Sequence, residues 1–135
     1  MKKLIIVLIA VLFSCSKPMG PESTLRDFVR QSFLDSTDRE KVLTIITGGL
    51  KDRYDSMKEE DWNKLLSLKD HKYKSFKVLD KVCREDEKCQ LTYIVAYNHV
   101  HEKDEKTLVE VKKIAELIKI DGRWKLSGIE NLKTF

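Results

Sequence analysis

Two periodicities divide the chain. From Pro21 to about Leu68 apolar residues return every three or four positions. Leu25, Phe28, Val29 and Phe33 fall at i, i+3, i+4 and i+8 and predict a helix over about 21–35, with Pro21 suited by its fixed φ to the first turn. Thr37 to Glu40 reads as a T-x-x-E capping box, opening a second helix with Val42, Leu43, Ile45 and Ile46 on a wide buried face. Gly48-Gly49 predicts a bend or stop, with Leu50 and Tyr54 on a further turn. Ser56 to Glu59 repeats the box, and Trp62, Leu65 and Leu66 give a short third helix ending near Leu68.

From Tyr73 onward the period drops to two. Phe76, Val78 and Val82 mark one strand, and Leu91, Tyr93, Val95 and Tyr97 mark the next, on either side of CREDEKC. If Cys83 and Cys89 stand directly opposite, Val78 faces Ile94 and the two apolar faces disagree by one residue. A one-residue slip turns every side chain to the other face, so the hairpin needs a β-bulge or a diagonal disulfide. After HEKDEK, two strands from Leu108 to Ile120 and from Arg123 to about Leu132 are joined by Asp121-Gly122, a strong signal for a two-residue turn. Such a turn pairs Lys119 with Trp124, Leu117 with Leu126 and Ala115 with Gly128. Val109, Val111, Ala115 and Leu117 then share one face, with Lys113 the exception. Helices followed by a four-stranded meander predict an α+β domain with an antiparallel sheet.

The residues ahead of this domain carry a different pattern. Lys2 and Lys3 precede nine unbroken apolar residues, Leu4 to Leu12. At ~1.5 Å per residue these reach about 14 Å, against a hydrocarbon core of ~30 Å, so the stretch predicts a signal peptide and not a span. Leu12-Phe13-Ser14-Cys15 resembles the lipobox of bacterial lipoproteins. The resemblance implies a signal over 1–14, cleavage before Cys15, acylation of that cysteine (diacylglycerol and palmitate) and a lipidated tether over 15–20. It places the protein in the bacterial cell envelope, with Ser16 pointing to the outer membrane. A single acyl chain holds only reversibly, whereas two or three hold stably.

Composition sharpens this. The chain has 135 residues, 41% of them hydrophobic and 36% charged, which allows one domain with its own core and excludes a disordered tail. The formal net charge of +4 includes Lys2 and Lys3. Without them 24 basic side chains stand against 22 acidic, and nothing in that balance argues for nucleic acid, which would want a clustered basic face. Of three cysteines, lipidation takes Cys15 and leaves Cys83 and Cys89 to form a disulfide across the hairpin tip in an oxidising compartment. Their five-residue separation fits neither a zinc ligand set nor a C-x-x-C redox motif, and no metal or cofactor is called for.

The element order and the closing segment VEVKKIAELIKIDGRWKLSGIEN resemble the nuclear transport factor 2-like (cystatin-like) domains found in many small bacterial lipoproteins. Members often close on a strand, an Asp-Gly or Asn-Gly turn, then a basic residue, Trp, Lys and an aliphatic residue. Here these are Asp121, Gly122, Arg123, Trp124, Lys125 and Leu126. The resemblance implies a domain over 21–135 in which a curved sheet wraps the helices into a cone. Members often have a strand between the helices, and none is read before Tyr73.

A cone implies a pocket but no reaction. Trp62, Asp80, Tyr93, Tyr97 and Trp124 are the candidate pocket residues: four large amphipathic aromatics, and one carboxylate interrupting an apolar strand face. His99 and His101 share a face at a strand end, most simply a solvated one. No catalytic residue is assigned. The reading is a membrane-anchored envelope lipoprotein that binds a small ligand or protein partner through the cone or sheet face. The alternatives are an isomerase- or cyclase-like enzyme with an acid–base residue in the cone, or a structural homodimer.

Overall fold

The computed structural model describes residues 20–33, 38–66, 71–100 and 106–132. The expected signal peptide, Cys15 with most of its tether, Thr37 and His101 lie outside the described residues.

Among the described residues the helical part comprises α1 (Pro21–Gln31), α2 (Arg39–Ile45), α3 (Gly48–Asp55) and α4 (Glu59–Leu66). Pro21 opens α1, and Leu25, Phe28 and Val29 form its buried stripe as the period requires. The helix stops at Gln31, short of the expected 35: the Ser32 and Phe33 amides turn back to the Val29 and Arg30 carbonyls. Asp38 caps α2, accepting from the Lys41 amide at 3.3 Å.

The second expected helix breaks at Ile46 and not at the glycine pair. Ile46 is extended and forms a parallel bridge to Leu126, and the Thr47 amide donates to the Leu126 carbonyl at 2.8 Å. Burial of Ile46 against the sheet outweighs its helical spacing there. A single strand-like residue thus lies between helices, and Gly48 with φ +62° starts α3 afterwards. Ser56 ends α3 and does not open α4; its hydroxyl donates to the Arg53 carbonyl at 3.0 Å. Arg39 ties these short helices together. Its guanidinium donates to the carbonyls of Tyr54, Asp55 and Met57 at the end of α3 and stacks over the Trp62 ring at 5.1 Å.

The sheet contains β1 (His71–Arg84), β2 (Lys88–Val100), β3 (Lys106–Ile120) and β4 (Arg123–Asn131), antiparallel and in sequence order. Cys83 pairs directly with Cys89, and the two form a disulfide. Bulges at Leu79 and Lys74 then shift the register, so that Val78 faces Tyr93 and Phe76 faces Val95 on the inner side, while Val82, expected on the same face, lies beyond the Leu79 bulge opposite Gln90 and is exposed. The β2–β3 pairing runs without a shift from Lys88 opposite Ile118 to Val100 opposite Lys106. Asp121 (φ 50°) and Gly122 (φ 77°) make the two-residue turn into β4, where both central residues need positive φ. Lys119 faces Trp124 and Leu117 faces Leu126. Past them Ala115 faces Ile129 and not Gly128, because a bulge at Ser127 inserts one residue; its hydroxyl donates to the Glu116 carbonyl at 3.1 Å. That bulge turns Ile129 toward the core.

The helices cover one face of the sheet, mainly over β4. Leu25, Val42, Ile46, Leu91, Ala115, Leu117 and Leu126 lie fully buried between the layers. The chain is an α+β fold with helices N-terminal to a four-stranded antiparallel sheet.

Candidate functional site

The inward positions of the sheet change character along the strands. Toward the cysteine hairpin they are Leu91, Ala115, Leu117 and Leu126, and the helices close directly on them. One rung further on, Tyr93 faces Lys113 and Lys113 faces Asn131, a polar line across β2, β3 and β4. Beyond it stand Val95 opposite Val111, and then Tyr97. Phe28, Val29 and Phe33 of the α1 segment and Leu50, Arg53 and Tyr54 of α3 form the opposite wall. Together they enclose an open cavity of about 360 Å³, within the ~300–1,000 Å³ range of small-molecule sites.

Charge in this cavity is of one sign. Lys113 and Arg53 line it, and no Asp, Glu or His is among its described lining residues. Lys113 is half-buried, and loss of hydration pulls its ammonium below the ordinary lysine value. Tyr93 and Tyr54 are 2% and 5% exposed. Burial, with the neighbouring Tyr54 adding to it, pushes the Tyr93 phenol up; burial also raises Tyr54, partly opposed by Arg53. Both phenols are therefore neutral hydrogen-bond donors at physiological pH.

Of the five candidate pocket residues, Tyr93 and Tyr97 line the cavity. Trp62 sits behind its wall, buried and edge-on to Tyr54 at 5.4 Å. Trp124 lies toward the opposite end of the sheet under the Lys119 ammonium, at 5.9 Å, and its carbonyl accepts from the Thr24 hydroxyl. Asp80 is exposed on β1 just past the Leu79 bulge, its carboxylate accepting from the Lys81 amide at 2.9 Å. Alternation assigns a face but not a depth along the strand, and a bulge resets even the face. Lys113, Arg53 and Tyr54 line the cavity without having been read as functional; of these Lys113 carried a signal, a cation at an inward position between Val111 and Ala115.

At His99 the strand end is only partly solvated. This histidine faces His71 across β1 and β2, both half-buried, with 2.7 Å between their Nδ1 atoms, and His71 packs on Tyr97 at 5.0 Å. Tyr97 in turn meets Phe33 at 5.7 Å, so an aromatic chain runs from the histidines to the cavity rim. Groups of three or more metal-ligating side chains are absent among the described residues.

No family model matches the sequence, and no curated protein matches it. Solved structures do share its shape. One is a SEC-C motif containing protein from Rhodopseudomonas palustris, with a TM-score of 0.58 and 13% identity over 84% of this chain and 79% of that one. Another is the intermembrane space region of the chloroplast protein ARC6, with a TM-score of 0.57 and 12% identity over 87% of this chain and all of that one. A third, described as an NTF2-like transpeptidase from Campylobacter jejuni, has 16% identity over 82% and 99% of the two chains, but its TM-score of 0.46 is too low to argue from. At these identities the first two likenesses establish a shared α+β fold and nothing about activity.

Proposed function

We propose that this protein is a lipid-anchored envelope protein whose nuclear transport factor 2-like domain binds a small ligand in the cavity between helices and sheet. The cavity carries the proposal. It lies on the helix-covered face of the meander, and its walls combine aromatic and aliphatic side chains with a comparable share of polar groups, Lys113, Arg53, Ser32 and Asn131 among them, which suits a ligand with both apolar and polar parts. Its described lining offers a lysine, an arginine and phenols where an isomerase would use a carboxylate or imidazole, which favours holding a ligand over abstracting a proton. The Leu12-Phe13-Ser14-Cys15 lipobox supports the anchor, and Ser16 supports the outer membrane.

A neutral fluorescent probe such as 1-N-phenylnaphthylamine tests the cavity. It is expected to bind the domain spanning 21–135 and to lose roughly tenfold or more in affinity in Val111→Trp, which fills the opening. Equal binding by the two proteins sinks the assignment. For the anchor, mass spectrometry of the N-terminal peptide of the mature protein should find Cys15 first in the chain and carrying diacylglycerol, and an unmodified Cys15 there would refute lipidation at that cysteine.

A further inference from the structure

Lys113 is the anomaly of the sheet's inner face. Its neighbours on that face along β3 are Val109, Val111, Ala115 and Leu117, and it is half-buried with no carboxylate partner among the described residues. Removing an ammonium from water is unfavourable unless an opposite charge or strong acceptor compensates. The same cavity holds Arg53 as a second cation, while Tyr54 and Tyr93 supply neutral phenols that can donate. Each of these four groups complements an anion. The rest of the wall, represented by Phe28 and Val111, complements an apolar body.

From this juxtaposition we infer that the ligand is an anionic amphiphile, with a carboxylate or phosphate head held by Lys113 and Arg53 and a single aliphatic or aromatic body against the apolar wall. The inference rests on the reading of the cavity as a ligand site. A volume of about 360 Å³ is at the small end for ligand sites and selects one chain over two. The aqueous opening admits the charged end, and the fixed phenols order the head once bound.

Calorimetric titration of the domain with octanoate, octyl phosphate, 1-octanol and octylamine, all with the same eight-carbon body, tests this. At least one of the two anions is expected to bind roughly tenfold or more tighter than the alcohol, the scale of hydrogen bonds to charged groups, with the amine weakest. The better of the anions identifies the head group. Combining Lys113→Met with Arg53→Gln should abolish the preference, so that the anions bind the variant no tighter than the alcohol binds that same variant. If octanol or octylamine binds wild type as tightly as both anions, the charge inference is overturned and the cavity reading stands. If none of the four binds, both fall. The wild-type comparison decides even where a variant fails to fold.

Discussion

The inner face of the sheet behaves as two materials. Toward the cysteine hairpin, Leu91, Ala115, Leu117 and Leu126 are at most 1% exposed and belong to one buried cluster with Leu25, Val42 and Ile46. A few residues along the same strands, and in the same unbroken β2–β3 register, Tyr97, Val111 and Lys113 border an open cavity. Backbone geometry does not separate them in β2 and β3, although in β4 the Ser127 bulge falls between Leu126 and Ile129. What differs is the size and polarity of the inward residues and where the helices touch down. The Ile46 bridge joins the helical layer to β4 at Leu126, opposite Leu117. At the other end tyrosines and a lysine occupy the same face. One end stabilises the domain, and the other gives up packing for a site.

The largest expected effect tests that division. Leu117→Ala in the closed end should destabilise by about 2–5 kcal/mol, because the cavity it leaves cannot collapse between fully buried neighbours. Val111→Ala, beside existing open space, should cost about 1 kcal/mol or less. Urea denaturation of both variants measures the contrast, and equal losses would mean that the two ends are not distinct. Next in size is the disulfide. In the chain-entropy account, closing so short a loop is worth about 2 kcal/mol, so Cys83→Ser with Cys89→Ser should lower stability by that much. The rungs from Cys89 to Tyr97 span about 26 Å at ~3.3 Å per residue. Probe binding in the cavity should therefore be unchanged, and a loss of binding alongside the loss of stability would show that the ends are coupled.

How far each end could be read in advance follows from what periodicity encodes. The closed end was legible: Leu117, Leu126 and the Asp121-Gly122 turn follow from alternation and turn chemistry. The bulge near Cys83 was legible too, because a disulfide register and an apolar register that disagree by one must be reconciled within the strand. Helix breaks were less so. Ile46 leaves its helix for a sheet contact 80 residues away in sequence, which no local pattern announces. The cavity was half legible, through Tyr93 and Tyr97. Trp62 and Trp124 have the same amphipathic character but lie at other depths, set by which helix packs on which rung. Lys113 broke the pattern openly, and an inward cation at a core position was the residue-level sign that one end is not core.

The smallest effect is also the most diagnostic, because Lys113 and Tyr93 face each other on one rung and should respond to alkali with opposite signs. Burial lowers the Lys113 value in the folded chain below the ordinary 10.5. Between the two values the unfolded chain binds more protons, so this group's contribution to stability rises with pH and is lost as pH falls through the folded value. Lys113→Met should therefore be more stable than wild type at pH 7, by on the order of 1 kcal/mol, with the advantage shrinking as pH approaches 10.5. Tyr93 runs the other way. Its folded value lies above the ordinary 10.0, so its contribution is fully present below pH 10 and is lost as pH rises beyond it. Tyr93→Phe should remove that alkaline loss and leave neutral stability nearly unchanged. Urea midpoints of wild type and both variants from pH 7 to 11 separate the signs. A Lys113→Met difference that stays flat across that range would place the ammonium in water and return the open end to ordinary surface.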